Sequence, residues 1–396
     1  MFPTDIVIVA GARTPMARYT GVFSEVSAID LGAHAAKAAV ARSGVDPGEF
    51  DHVVFGNVLQ TSSDAIYGAR HVGLKAGLKV ETPAVTLNRL CGSGIEAIAQ
   101  AAQRLLLGEA SMVVAGGMEN MTQAPFVIRG ARTGLKLGGG ALEDFLFVGL
   151  TDSYCGLPMA ITAEKLAAQT GITRADADAY ALRSQQAADA AAKAGVFKEE
   201  IVPVEVKQGR KSIVVTEDDH RRPETTMETL SKLPSSFQKD GIVTAGNASG
   251  IVDGAAAVVV TREKTAKERG LKPLGKIVSW AVVGVDPSIM GIGPVPSTRK
   301  ALQLAGLKLE QIDRVEVNEA FAPQYLAVEK ELGLQREKTN VNGGAIALGH
   351  PLAASGTRLV ITVLNELRRK GLKYGLATAC IGGGQGIAMI VEAFGN

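Results

Sequence analysis

The chain has 396 residues, 46% of them hydrophobic, 21% charged and 5% aromatic, with 42 Lys plus Arg against 40 Asp plus Glu and a formal charge of +2. That length exceeds one ordinary core and predicts two or three domains, and the composition excludes global disorder. The near-neutral balance gives no electrostatic case for nucleic acid or an anionic membrane, and the three cysteines exclude a disulfide framework and suit a reducing compartment.

At the N-terminus, residues 1–10 carry an acid at Asp5 and no basic run, and the apolar stretch 6–9 is stopped by Gly11 and Pro15, too short for a secretory signal. No window approaches the ~18 uncharged apolar residues of a bilayer span. The expected location is the cytoplasm.

Residues 37–57 (KAAVARSGVDPGEFDHVVFGN) return in altered form at 299–319 (RKALQLAGLKLEQIDRVEVNE). A shift of 262 pairs Gly44 with Gly306, Asp51 with Asp313, Val53 with Val315 and Phe55 with Val317, and later Ser93-Gly94 with Ser355-Gly356. A shift of 263 then pairs 111–117 with 374–380. Each copy reads as amphipathic helix, Gly-containing turn, short β-branched strand, glycine-led helix and strand, so the chain is a duplicated α/β protein of helix-covered sheets.

Next in order, the apolar run 84–90 leads into Cys91, Gly92-Ser93-Gly94 and a helix over 92–107, with Ile95, Ile98, Ala102 and Leu105 on one face and Gly108 to end it. A cysteine at a helix N-terminus meets the positive end of the macrodipole, which lowers its pKa; the alternative is a small buried hydrophobe. The glycines beside it would let a substrate or second chain approach the backbone. Residues 119–248 differ from both copies, with a basic, Gly-rich stretch at 129–140, a Thr173-x-x-Asp176 capping box and a charged run at 207–232. They read as an insertion domain, a lid between an N-terminal half (1–118) and a C-terminal half (249–396).

In the second copy, Asn318-Glu319-Ala320-Phe321 closes a strand, where open α/β sheets place ligands. His350 precedes Pro351 in the loop before a helix over 355–370, while His34, His52, His71 and His220 read as structural. Cys380 ends a strand and is followed by Ile381-Gly382-Gly383-Gly384, whose N–H groups could face a ligand oxygen. A dinucleotide fingerprint fails there, because 387–391 reads as strand and not helix. Without a C-x-x-C or H-x-x-x-H pair a metal site is disfavoured. A regulatory Cys91–Cys380 disulfide would leave the glycines unused. A thiol nucleophile served by His350, with a second thiol as acid/base, uses all the features.

NRLCGSG at 88–94, NEAFAPQ at 318–324, NVNGGAIALGHP at 340–351 and CIGGGQG at 380–386, with GNASGIVDGAAA at 246–257, resemble the thiolase family nearly end to end. Segments 57–74 and 286–296 look most like the mitochondrial-type 3-ketoacyl-CoA thiolases and their bacterial relatives, while the chain is similar to the acetoacetyl-CoA thiolases too, so an acetoacetyl-CoA-specific acetyl-CoA acetyltransferase is the alternative. Leu157-Pro158-Met159 stands where many acetoacetyl-CoA thiolases carry a His-Met pair, which shifts the expectation toward broader chain length. The resemblance implies two mixed-sheet halves in a layered αβαβα fold, and CoA-dependent cleavage of 3-ketoacyl-CoA or the reverse condensation by a ping-pong route. It implies Cys91 as acyl carrier, His350 as its base, Cys380 as acid/base on the α-carbon and Asn318 holding a water beside His350. The N–H groups of Cys91 and Gly382 would form a second oxyanion hole. Arg222 would pack on the CoA adenine, Ser249 would touch the pantetheine and Met159 would line the acyl pocket. No cofactor beyond CoA as substrate and no metal is expected. Stretch 125–143 resembles the family's tetramerisation loop, so a homotetramer is expected. A ketoacyl-synthase-like enzyme would use one cysteine with two histidines, or with His and Asn, and the second cysteine, Cys380, favours thiolase over it; a non-catalytic acyl-CoA-binding protein would lack one of the four reactive residues, and all four are present.

Overall fold

The computed structural model describes residues 5–395. In chain order its main strands are β1 (Ile6–Arg13), β2 (His52–Gly56), β3 (Ala84–Leu87), β4 (Met112–Glu119), β5 (Val252–Arg262), β6 (Gly275–Gly284), β7 (Arg314–Val317), β8 (Tyr374–Ile381) and β9 (Gln385–Ala393). The helices that matter for the site are α1 (Ala28–Ser43), α2 (Ser93–Leu107), α3 (Met159–Thr170), α4 (Arg174–Lys193), α5 (Pro294–Ala305), α6 (Ala322–Leu332) and α7 (Leu352–Lys370).

The strands run β7-β8-β9-β6 and then β1-β5-β4-β2-β3, with β2, β3 and β4 parallel, β7 parallel to β8 and the remaining pairs antiparallel. Each half is therefore a mixed sheet. Among the described residues they meet along β1 and β6 through two residue pairs, Val7 with Lys276 and Ile8 with Gly275. The order is the same read outward from that seam in either direction, β1-β5-β4-β2 against β6-β9-β8-β7, which is the duplication predicted by the 262-residue shift. Its paired glycines do the same work: Gly44 ends α1 at φ 71° and Gly306 ends α5 at φ 67°, left-handed positions where a side chain would be strained.

Period-two alternation sorts each strand between layers. Val7 and Val9 join α1 in an outer core, while Ile6 and Ile8 face inward; on β9, Ile387 and Met389 face inward and Ala388 and Ile390 join an outer core with α5 and α6. The inward faces of both sheets enclose α2 and α7, through Ile95, Ile98, Leu105, Leu359, Val360 and Leu364. The result is five layers, αβαβα. The two inner helices cross where a Cβ on Gly94 would lie 2.4 Å from Thr357 N, and one on Gly356 would lie 2.6 Å from Ile95 N. Glycine at both places lets backbone meet backbone. Gly117 on β4 is tighter still: a Cβ there would lie 1.9 Å from Ala353 O.

The segment between β4 and β5 holds α3, α4, the hairpin Val204–Gln208/Lys211–Val215 and the predicted Thr173–Asp176 capping box. Arg13, fully buried, ties it down by pairing with Glu200 at 2.9 Å and Asp218 at 2.7 Å. β5 pairs with β1 and β4, so this strand belongs with the first half's sheet; the expected division at 248/249 assigned it to the second. No helix among the described residues is long and apolar enough to cross a membrane. Residues 1–4, part of the stretch read for a targeting signal, lie outside the described residues.

Candidate active site

Cys91 sits in the 3-10 turn Leu90–Gly92 between β3 and α2. The turn is pinned locally: Leu90 N–H donates to Asn88 Oδ1 (2.8 Å), and Ser93 Oγ accepts from Arg89 N–H (2.9 Å) while donating to Leu90 O (2.7 Å). Leu90 itself is left-handed at φ 47°, an uncommon conformation for a bulky side chain. The expectation that the flanking glycines admit substrate is corrected here. Space beside Gly92 is taken by the Ile381 side chain (2.5 Å from a built Cβ), and space beside Gly94 by the backbone of α7.

Three backbone bonds gather the other motifs. Ala322 N–H donates to Asn247 O (2.8 Å), Ser249 N–H to Ala320 O (3.0 Å) and His350 N–H to Gly250 O (2.9 Å). The stretch 246–250 thus stitches the Asn318 loop to the His350 loop. His350 is buried, immediately before α7, which begins at Leu352 and not at the expected 355. Asn318 Nδ2 lies 3.3 Å from His350 Nε2, and Ser355 Oγ lies 2.6 Å from Nδ1. With the Asn318 amide donating, the imidazole proton sits on Nδ1 and is given to Ser355, which donates onward to Pro351 O (3.3 Å). Nε2 is then unprotonated, and its one lone pair accepts from the Asn318 amide, which must give way for Nε2 to take a proton. Asn318 Oδ1 is buried with no partner, an acceptor that an ordered water or ligand donor would satisfy. Burial, reinforced by the positive Arg358, pushes the imidazole down to about 3, so His350 is neutral.

The Cys91 thiol departs from the sequence expectation. Burial outweighs the helix terminus and pushes it up to about 11, although the N–H groups of Gly382 and of Cys91 itself pull the other way, with the nearby Glu119 charge adding to the rise. Those are the two N–H groups expected to form an oxyanion hole, and both act on the sulfur. Cys380, at the end of β8, is fully buried; burial first and the neighbouring Cys91 second hold its thiol well above the ordinary range. The two sulfurs are therefore neighbours, both thiols at rest.

Cys91 and His350 open on a cavity of about 340 Å³, lined by Leu146, Phe147, Leu150, Met159, Phe237, Met290 and Phe321 among others, with Ser249 at its wall. Met159 also packs against Cys380, and its sulfur lies 3.2 Å from a Cβ built on Gly382. Arg222 lies elsewhere, in a second cavity of about 400 Å³ with His220, Thr229, Leu230 and Leu233, its own N–H donating to Gln185 Oε1 (2.9 Å). His220, read as structural, lines that cavity too. Its ring closes on Gly250, where a Cβ would lie 2.2 Å from Nε2, and burial pushes it down to about 4. Cys155 is a free, partly exposed thiol in the turn before Leu157. Among the described residues no cluster of three or more His, Cys, Asp or Glu could hold a metal ion.

Two contributors escaped the sequence reading. Ser355, the partner of His350, was visible only as the repeat mate of Ser93. Glu119, a lone acid ending an otherwise apolar strand, was signalled by that oddity alone.

The family profile described as thiolase, N-terminal domain, matches residues 6–264, and that described as thiolase, C-terminal domain, matches 271–393. The chain is 54% identical over 389 residues to the mitochondrial 3-ketoacyl-CoA thiolase of Homo sapiens, covering 98% of each. It is 49% identical over 387 residues to an acetyl-CoA acetyltransferase of Pseudomonas aeruginosa, covering 97% of this chain and 98% of the relative. The crystal structure of the human mitochondrial 3-ketoacyl-CoA thiolase in complex with CoA superposes with a TM-score of 0.96 at 54% identity, covering 98% of both chains. The expected cytoplasmic location is overturned by these comparisons, since the mammalian relatives at 51–54% identity are mitochondrial proteins.

Proposed function

The chain belongs to the thiolase family, and from that premise we propose that it is a 3-ketoacyl-CoA thiolase of broad chain length working through an acyl thioester on Cys91. It is an acyltransferase that binds CoA and cleaves 3-ketoacyl-CoA to acetyl-CoA and a shortened acyl-CoA, or runs the reverse condensation. The observation that carries the chain-length reading is the apolar cavity onto which Cys91 opens, with Pro158 and Met159 in its wall and Leu157-Pro158-Met159 in place of a His-Met pair.

In our reading, His350 Nε2 takes the Cys91 proton and the thiolate attacks the 3-keto carbon. The C2–C3 bond breaks, and its electron pair forms the acetyl-CoA enolate, which takes a proton from Cys380. CoA then gives its thiol proton to the Cys380 thiolate and attacks the acyl-Cys91 carbonyl. Cys91 leaves and recovers its proton from His350. A thiol pushed up to about 11 beside an imidazole pushed down to about 3 means a neutral pair at rest, so proton transfer must be driven by charge developing in the transition state. The Cys91 and Gly382 N–H groups and the Asn318 amide are the donors suited to that charge. Arg222 would hold the adenine in the second cavity, and Ser249 the pantetheine.

We also propose a homotetramer, with residues 119–248 acting as the lid. Its support is the row of exposed apolar side chains Phe126, Ile128, Leu135, Leu137 and Leu142. Light scattering that shows only dimer would retire it.

The test is CoA-dependent loss of substrate enolate absorbance over 3-ketoacyl-CoA thioesters of increasing length. Turnover of medium and long chains supports the proposal. Activity confined to acetoacetyl-CoA makes the protein an acetyl-CoA acetyltransferase, the reading favoured by its 49% identity to such enzymes. Normal turnover by Cys91→Ala would refute the covalent route.

A further inference from the structure

Behind the nucleophile lies Glu119, fully buried at the end of β4 and unused by the steps above. Its Oε1 accepts from Leu59 N–H (2.8 Å) and Asn57 Nδ2 (3.0 Å), and its Oε2 from Val58 N–H (3.2 Å) and Ala353 N–H (3.1 Å). The last bond has a specific meaning. Ala353 is in the first turn of α7, whose own cap residue, Pro351, offers no side-chain acceptor. A carboxylate 234 residues away in sequence serves instead as the anionic cap, in the place where a helix N-terminus favours negative charge.

The residues it holds touch the site. Leu59 and Leu352 pack together with Met121 and Cys91, and His350 is two residues ahead of the capped helix. One carboxylate therefore fixes the loop after β2, the start of α7 and, through both, the walls around the thiol.

We propose that Glu119 is a positioning residue for thiolysis: its carboxylate caps α7 and ties down the loop after β2, so that His350 and the walls around Cys91 keep their place. Its charge adds, as a lesser cause behind burial, to what holds Cys91 as a thiol. This rests on Cys91 as the nucleophile. The ionisable groups in play are few. Asp253, bound to Met121 N–H, Thr122 N–H and Thr122 Oγ1, faces Glu119; Cys380 faces Cys91; His350 shares the cavity. Burial pushes Glu119 up to about 7, with its hydrogen bonds opposing, so it titrates where the enzyme can be assayed.

The experiment compares wild type with Glu119→Gln, confirmed as folded by circular dichroism. It follows iodoacetamide alkylation read at the Cys91 peptide by mass, alongside kcat and KM for thiolysis. Removing the charge lowers the pH at which Cys91 ionises by about half a unit or more, so alkylation at mildly alkaline pH speeds up roughly threefold. Placing an NH2 group among four donors loosens the start of α7, and kcat falls about tenfold or more. Loosened walls would by themselves expose the thiol and slow turnover, so the contribution of the charge is read from the pH profile and not from the variant alone. In the unmodified protein, log rate against pH bends to a shallower slope as Glu119 ionises, which needs no variant at all. A straight line of unit slope between about pH 6 and 9, or wild-type alkylation in folded Glu119→Gln, overturns the proposal. Because alkylation reports the thiol whatever it does in catalysis, failure of the Cys91 mechanism (normal turnover by Cys91→Ala) is seen separately.

Discussion

Replacing Gly94 by Ala puts a methyl 2.4 Å from Thr357 N, 2.7 Å from Ala353 O and 2.7 Å from Thr357 Oγ1. Two of those three are backbone atoms of a buried helix and cannot swing aside. Restoring ordinary contact, near 3.5 Å, requires α2 and α7 to part by about 1 Å. That opens the interface between Ile95, Ile98 and their partners Leu359 and Val360. Overpacking of this kind costs about 1–3 kcal/mol where side chains can adapt; with backbone on both sides we expect about 3–5 kcal/mol. At an unfolding entropy of about 2.1 cal/mol/K per residue, a chain of this length loses about 4–6 °C in Tm. Cys91 and His350 stand at the N-terminal ends of these two helices, so a displacement near 1 Å lowers kcat by about 10²-fold. The control is Gly108→Ala, at φ 73° with open space around it, which costs about 1 kcal/mol of backbone strain and leaves kcat alone. Thermal unfolding followed by circular dichroism, with thiolysis of one substrate, separates the two. A Gly94→Ala protein with wild-type Tm and kcat, or one no worse than Gly108→Ala, would refute the argument.

Cys380→Ser should keep the acylation of Cys91 by acetyl-CoA, seen as an intact-mass shift, while condensation falls by about three orders of magnitude; equal loss of both would remove Cys380 from the α-carbon. His350 and His220 are held neutral, with folded values lowered to about 3 and about 4, so their stabilisation is whole above 6.5 and is lost as pH falls toward those values. By pH 5 each has forfeited about 2 kcal/mol, and urea unfolding of His220→Gln at pH 7 and 5 should lack one such share. Arg13→Met strands Glu200 and Asp218 as buried, unpaired carboxylates and should destabilise by about 3–5 kcal/mol, the measurement being the urea midpoint.

Much of this was legible in the chain because it is local or repeated. Gly44 and Gly306 named each other before either was seen to cap a helix, and the Thr173–Asp176 box needs only three residues to close. Cys91, His350, Asn318 and Cys380 could be placed at element ends for the same reason. The thiol's acidity could not. A helix start is written in sequence, but the burial that overrides it comes from Leu59, Met121 and Leu352, which arrive from three other segments. Glu119 was opaque for a related cause: a cap reaching across 234 residues leaves no spacing to read.

The repeat has a final consequence. Matched by the shifts of 262 and 263, Cys91 corresponds to Ala353 and Cys380 to Gly117, so a rotated counterpart of the proposed reaction centre should stand on the other side of the seam. It cannot exist. There Gly117 abuts the Ala353 carbonyl so closely that not even a methyl fits, let alone a thiol or an acyl group. Duplication supplied two equivalent hollows, and the chain has filled one with its own main chain to make the other rigid. Any attempt to engineer a second catalytic centre by copying residues across the pseudo-dyad would have to dig out the wedge that holds the first one in shape.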